Sequence, residues 1–277
     1  GRQAAAAFAQ ADDSAALVAR CLQAHMDSSS VQARGLAVIG LTALDCGGEE
    51  APLDGGEAPL PPSSRIPEGF EPLLGQPGIE LALASLRTHA ADAEVSRRAL
   101  PAIWALLEQS QCGSGWSVNG TLLVPGSIEP VVAAMRAHVD DGQVQRWGVA
   151  ALWALVRVGG EPAAVAVAEH EGVEAIAAAM SALPQEVEVQ ERALGAMVAI
   201  LTQGSIAEAQ AVVDQGGMTA MQEALRNHPD HEQVRRWGDA AIELVLDRIP
   251  PRSALEGDDA DAEAAAVAAA GGGSDEE

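Results

Sequence analysis

The sequence predicts an all-α protein, built as an α-solenoid of about five similar units. A valine recurs at positions 31, 95, 144, 189 and 234, and in four of these five places a histidine stands six residues before it. The last three valines are 45 residues apart, and helical arrays have repeat periods of this length. Apolar residues make up 48% of the chain but aromatic residues only 3%, which suits closely packed helices of Ala, Leu and Val.

Each unit contains two helical patterns. In the first, apolar residues fall at i, i+3 and i+7, as in Ile128, Val131 and Met135, and form one buried stripe. The second, longer helix begins near the valine. Asp140 and Asp230 stand three residues before a Gln, which is the spacing of a capping box.

A glycine or alanine recurs in the middle of the longer helix, where Gly costs about 1 kcal/mol relative to Ala. Three of the five units accept this cost, at Gly35, Gly148 and Gly238. We therefore expect the backbone of another helix to come close at this column.

A third, shorter helix precedes units four and five. Pro162 suits the first turn of a helix over 161–170. Ser205 and Glu208 form a capping box ahead of a helix over 206–214. Each complete unit is thus expected to contain three helices.

Prolines and glycines interrupt the array in two places. Seven of the fifteen prolines fall in 45–77, which is predicted to be an inserted loop, and a smaller loop is expected over 111–125. Pro101 lies inside a long helix and should kink it. The repeat array is assigned to 1–247 and an acidic low-complexity tail to 248–277, with units near 8–44, 70–110, 120–158, 161–202 and 205–247.

The run over 126–156 resembles an armadillo repeat, and 172–202 and 216–246 match it column by column. Its Met-x-x-His…Val-Gln form is similar to repeats of armadillo repeat-containing 6-type proteins and of the armadillo region of leucine-rich repeat kinases. This resemblance implies a right-handed α-solenoid of three-helix repeats whose third helices line a concave groove for extended peptides. The Trp and Asn ladder with which importin-α receptors read basic signals is absent from the matching columns.

The charge of −24 argues against nucleic acid and membrane surfaces as partners, because both are anionic. Cys21, Cys46 and Cys112 form neither a disulfide framework nor a zinc pattern, which favours an intracellular, cytoplasmic location over secretion. Cys21 is expected to be a small packing residue. The chain begins at Gly1 without an initiating Met, so we expect a processed chain or a piece of a longer protein.

The candidate binding site is an arginine ladder at the start of the long helices. Guanidinium groups bind carboxylates through paired hydrogen bonds, so an acidic peptide is the predicted ligand. The alternative is that these arginines pair with Asp and Glu of neighbouring units. The ladder consists of Arg34, Arg97, Arg98, Arg146, Arg192, Arg235 and Arg236.

Four tryptophans accompany the ladder. Trp104 and Trp153 share one column, and Trp147 and Trp237 share another. Exposed Trp and Arg residues are frequent interface hot spots, while packing between stacked units is the alternative role.

The remaining candidates favour structural roles. The histidine column lies at helix C-termini, where it can cap carbonyls, and His228, Asp230 and His231 are the only close ligand cluster in the sequence. No P-loop, nucleophile elbow or zinc-protease motif occurs, and no cofactor is expected.

The sequence predicts a non-enzymatic scaffold that binds a protein or peptide, with its own acidic tail as a possible competitor for the groove. Two alternatives stay open. The chain could be a structural subunit of a large assembly, held by its convex faces and loops, or the interaction domain of a longer enzyme.

Overall fold

The computed structural model describes residues 14–46, 73, 75–111 and 126–249. Within these ranges the regular structure is twelve α-helices and no β-strand, which confirms the predicted all-α class. The helices are α1 (Ser14–Ala24), α2 (Ser29–Cys46), α3 (Gln76–Thr88), α4 (Ala93–Gln111), α5 (Ile128–Ala137), α6 (Gly142–Gly159), α7 (Glu161–Glu169), α8 (Gly172–Ala182), α9 (Val187–Gln203), α10 (Ile206–Asp214), α11 (Gly217–Asn227) and α12 (Glu232–Arg248).

Helices at equivalent positions in the sequence repeat pack on one another in chain order. The long helices form one row, in which α2, α4, α6, α9 and α12 each contact the next. The helices α1, α3, α5, α8 and α11 form a second row, and each contacts the long helix that follows it. The short helices α7 and α10 pack together beside these rows. The apolar core therefore runs along the array, between the rows.

Each long helix that is followed by another buries four positions, which lie one, five, eight and twelve residues after the repeated valine. In α2, α4, α6 and α9 all sixteen of these residues are buried. Because this pattern is common to every long helix that is followed by another, these positions form the face that the next long helix covers. We call it the stacking face; in α9 it consists of Gln190, Leu194, Met197 and Leu201.

A buried glutamine ties each of three long helices to the helix before it. Gln145 Nε2 donates to the backbone oxygens of Met135 and His138, both at 2.8 Å. Gln32 and Gln190 make the same pair of bonds in their own units. These bonds supplement the local backbone bonds at the end of the preceding helix, where Met135 O also accepts from the N–H of His138 and His138 O from the N–H of Asp141.

The histidine column joins neighbouring units. Nε2 of His89 lies 2.7 Å from the backbone oxygen of Met26, and His138 and His228 make the equivalent contact with Ala90 and Pro184. A carbonyl oxygen only accepts, so each ring carries its proton on Nε2. The histidines therefore cap carbonyls, as predicted, but those of the preceding unit.

The expectation of a close backbone at the glycine column was wrong. A Cβ at Gly35 would lie 2.5 Å from Leu22 Cδ2, and one at Gly238 would lie 2.7 Å from Leu225 Cδ2. At Gly148 a Cβ would overlap the Met135 side chain. It is therefore a large side chain of the preceding helix, not a backbone, that requires the missing Cβ.

Two of the predicted helix starts need correction. The N-cap of α6 is Asp141 rather than Asp140, and its carboxylate accepts from the backbone N–H groups of Gln143 and Val144. At α12 the N-cap is His231 rather than Asp230, and no side chain caps the helix there. In both cases the cap stands three residues before the valine, so the valine sets the start of the helix.

The two short helices agree with prediction. Helix α7 spans Glu161–Glu169 with a proline in its first turn. Helix α10 spans Ile206–Asp214 behind a complete capping box made by Ser205 and Glu208.

Other local expectations were met only in part. Helix α4 runs unbroken through Pro101. Proline has no N–H to donate to the backbone carbonyl four residues earlier, and that carbonyl belongs to Arg97, an exposed residue. The predicted insertion includes the last two residues of α2 and the first two of α3, while 47–72, residue 74, 112–125 and 250–277 lie outside the described residues. Cys21 is exposed, so its predicted packing role was wrong. None of the described helices combines the length and apolar character that crossing a membrane requires.

We predict that Gln145→Ala lowers the free energy of unfolding by about 1–3 kcal/mol, because it removes the two hydrogen bonds by which the buried Gln145 side chain ties α6 to the end of α5. Urea unfolding followed by circular dichroism measures the change. The matched control is Gln143→Ala, an exposed position in the same helical turn, which should change stability by less than about 0.5 kcal/mol. Equal effects of the two variants would contradict the assigned role.

Candidate binding face

The structure places all four predicted tryptophans of the long helices on one face of their row. They form two clusters, each held together by arginines. We call this surface the tryptophan face; it consists of Trp104, Trp147, Trp153, Trp237, Arg146, Arg157, Arg192 and Arg236.

The first cluster joins three successive long helices. Trp104 of α4 and Trp147 of α6 lie with ring centroids 5.1 Å apart. The guanidinium of Arg192, from α9, lies 4.8 Å from the Trp147 ring and 5.5 Å from the Trp104 ring. Arg192 is 9% exposed, so this cation is nearly removed from water and gains strongly from the electron-rich faces of the rings.

The second cluster skips one helix. Trp153 of α6 meets Trp237 of α12 edge to face, with centroids 6.4 Å apart, and passes over Gly195 of α9. In a flat row, two interaxial distances of about 8–10 Å each would separate α6 from α12. The two indole side chains therefore span the width of α9 between them.

Arginines close the edges of the second cluster. Arg157 lies 5.4 Å from the Trp153 ring and also pairs with Glu108 of α4. Arg236 lies 5.4 Å from the Trp237 ring. The tryptophans are partly buried by these contacts and keep part of their surface in solvent.

Two ladder arginines pair with the unit that follows. Arg97 binds the N-cap carboxylate of Asp141 through Nε and Nη2, at 2.7 and 2.6 Å. Arg146 binds Glu188 through Nη1 at 2.5 Å. Partial burial of Asp141 opposes its ionisation, but the hydrogen bonds from Arg97 and from the backbone N–H of Val144 outweigh this and lower the pKa of Asp141.

The pair between units four and five has different residues in both columns. Glu191 occupies the column of Arg97 and Arg146, and His231 occupies the column of Asp141. Glu191 Oε1 lies 3.4 Å from His231 Nδ1. Burial raises the pKa of Glu191, and the nearby charge of Glu188 adds to this effect.

The predicted ladder does not act as a single row. Arg192 and Arg236 stack on tryptophans, Arg97 and Arg146 bridge to the next unit, and Arg98 pairs with Glu94 of its own helix. Arg34 and Arg235 are exposed.

Sequence reasoning missed three members of this region: Arg157, Glu191 and His231. Arg157 stands outside the ladder columns, four residues after Trp153, and this i, i+4 spacing was the available signal. Glu191 and His231 were detectable as simultaneous substitutions, Glu in the column of Arg97 and Arg146 and His in the column of Asp141.

Over 14–46, 75–111 and 126–249, no three His, Cys, Asp or Glu side chains form a group that could hold a metal ion. The cluster of His228, Asp230 and His231 is therefore not assembled as a ligand set. His228 instead contacts Pro184, and His231 faces Glu191.

No family model and no curated protein match this chain. Among solved structures, the crystal structure of an engineered protein is similar, with 18% sequence identity over 83% of this chain and 95% of that one. The TM-score of 0.43 is too low to carry an argument about fold or function.

We predict that Glu191→Gln raises the melting temperature at neutral pH. The raised pKa means that folding disfavours the ionised form, so the carboxylate destabilises the folded state above that pKa. The gain should shrink as the pH falls through the raised pKa, and should vanish below the ordinary value of 4.5, where both states hold the proton. Thermal unfolding at several pH values measures it. Glu186→Gln is the control and should give no such gain, because Glu186 is exposed and its side chain makes no capping bond.

A double-mutant cycle of Trp153→Ala and Trp237→Ala tests the contact across α9. We expect a coupling energy of about 0.5–1.5 kcal/mol, the range for aromatic pairs in contact. The control cycle uses Trp104→Ala and Trp237→Ala, which belong to different clusters and should be additive within about 0.5 kcal/mol. Additivity in both cycles would contradict the contact between Trp153 and Trp237.

Proposed function

We propose that this chain is a right-handed α-solenoid of five armadillo-type repeats and serves as a non-enzymatic scaffold that binds a protein segment on its tryptophan face. The three rows of equivalent helices, packed in chain order, support the solenoid. The resemblance of 126–156, 172–202 and 216–246 to armadillo repeats supports the repeat type.

One observation carries the binding role: four of the five tryptophans of a chain with 3% aromatic residues gather on a single face, together with arginines. Core packing alone could be met by the aliphatic residues that fill the rest of the array. Partly exposed Trp and Arg residues are the types that carry most binding energy at protein interfaces.

The ligand chemistry that fits this face is an acidic segment. Arg146 holds Glu188 through Nη1 alone, and its Nε has no acceptor among the described residues. The Glu188 side chain is 46% exposed, more than its 27% exposed partner. A carboxylate of a bound peptide can therefore replace Glu188 on Arg146 at the cost of one exposed ion pair.

The chain's own tail is a candidate competitor. Residues 253–277 hold eight acidic residues and no basic residue. Attachment to the array gives such a segment a local concentration on the order of millimolar for a short flexible linker. Weak ion pairs would then suffice for partial occupancy.

The test is the binding of a labelled peptide with the sequence of 253–277, measured by fluorescence anisotropy. Arg146→Gln should weaken binding, and Glu188→Gln should tighten it about two- to fivefold, because it removes the internal competitor of Arg146. Deleting 253–277 from the chain should tighten binding, and added salt should weaken it, since exposed pairs are screened.

The matched control is Glu186→Gln, which changes the net charge by the same amount. Glu186 is the N-cap of α9 but makes no capping bond with its side chain. If Glu186→Gln and Glu188→Gln tighten binding equally, the effect is general electrostatics and exchange at Arg146 is wrong. If Arg146→Gln leaves the affinity unchanged, the arginines serve only to join neighbouring units.

A further inference from the structure

The stacking face of the last long helix has no cover among the described residues. In α9 the four stacking positions are buried beneath α12, and the same holds for each earlier pair of long helices. In α12 three of the four equivalent residues are exposed and one is partly buried; Leu246 is 59% exposed. Its counterparts in α4, α6 and α9 are Leu107, Val156 and Leu201, which are at most 1% exposed.

We call the stacking face of α12 the end face; only two of its four residues, Arg235 and Asp239, are polar. Asp239 stands where the other units have buried Leu or Val, but Ile242 and Leu246 keep the apolar character of their columns. A terminal repeat that only faces water is expected to carry a polar outer surface. Ile242 and Leu246 therefore indicate a face made to be covered.

Three acidic residues follow one another along α12 at the end face. Asp239, Glu243 and Asp247 follow at intervals of four residues and form one acidic stripe beside the apolar pair, with Arg235 one turn earlier. These five acidic and apolar residues line a shallow depression. None of the three carboxylates has an ion-pair partner in the part of the chain that the structure describes.

We propose that the end face of α12 binds an amphipathic α-helix of another protein, with a Leu or Ile stripe against Ile242 and Leu246 and a Lys or Arg stripe against Asp239, Glu243 and Asp247. A helix is the occupant because the same face is covered by a helix in every earlier unit. Basic residues follow from the three unpaired carboxylates, and an acidic residue would suit Arg235.

Two other occupants fit less well. The chain's own tail carries eight acids and no base over 253–277, so the acidic stripe repels it. A second copy of the chain brings another net charge of −24, which opposes association.

The probe is a synthetic helical peptide of 17 residues, the length of α12, with Leu on one stripe and Lys on the adjacent stripe. Binding to the full chain is measured by fluorescence anisotropy. Leu246→Glu should weaken binding about tenfold or more, because it removes an apolar contact and adds a charge. Asp239→Asn with Glu243→Gln should weaken binding and reduce its dependence on salt.

The matched control is Leu17→Glu, at a leucine of α1 that is 53% exposed at the other end of the array. It should leave the affinity unchanged, as should Trp153→Ala, which separates this site from the tryptophan face. Both leucines are exposed, so neither variant should unfold the chain, and melting temperatures verify this.

Three results would overturn the proposal. Equal affinity of the original chain and Leu246→Glu, or equal binding of a peptide with Glu in place of Lys, would remove the end face as a site for a basic helix. Self-association in sedimentation that Leu246→Glu abolishes would assign the face to a second copy. Tighter peptide binding after deletion of 250–277 would assign it to the tail.

Discussion

The burial of each stacking face beneath the next long helix is the constraint on which the other features of the array depend. A long helix has two apolar surfaces, one toward the second-row helix that precedes it and one toward the next long helix, so its neighbours on both sides contribute to its stability. Polar contacts then fix the register. Gln145 and its equivalents hold carbonyls of the preceding helix, and the histidines bind carbonyls of the preceding unit. The spacing of the Gln and His residues repeats in the sequence because these contacts repeat in the structure.

That register also positions the tryptophan face. Trp153 meets Trp237 across α9, which presents Gly195 at the crossing. A Cβ there would lie 3.3 Å from the Trp153 ring, which a small shift of the indole could accommodate. A larger side chain would displace the Trp153 ring. The contact between the two indoles thus depends on a small residue at this position of α9.

The sequence predicted the helices well because each rests on local chemistry. Ser205 with Glu208 and the proline in α7 are signals that need no tertiary contact. Contacts between units were harder to predict. Asp140 and Asp141 are equivalent as capping residues by composition, and only the placement of Val144 against its neighbours selects Asp141. The arginines of the predicted ladder do not share one role. They have three different roles, because the partner of each arginine depends on the unit beside it.

The choice of arginine over lysine follows from these roles. All sixteen basic residues are Arg. The guanidinium of Arg192 lies within 5.5 Å of two indole ring centroids, and Arg97 donates from two nitrogens to one carboxylate. A planar guanidinium can do both, whereas an ammonium is a compact and strongly hydrated charge that does neither well. Arg146 combines the roles, with its guanidinium 5.2 Å from the Trp147 ring and one nitrogen on Glu188. A ligand carboxylate that replaced Glu188 on Arg146 would therefore lie close to the tryptophan face.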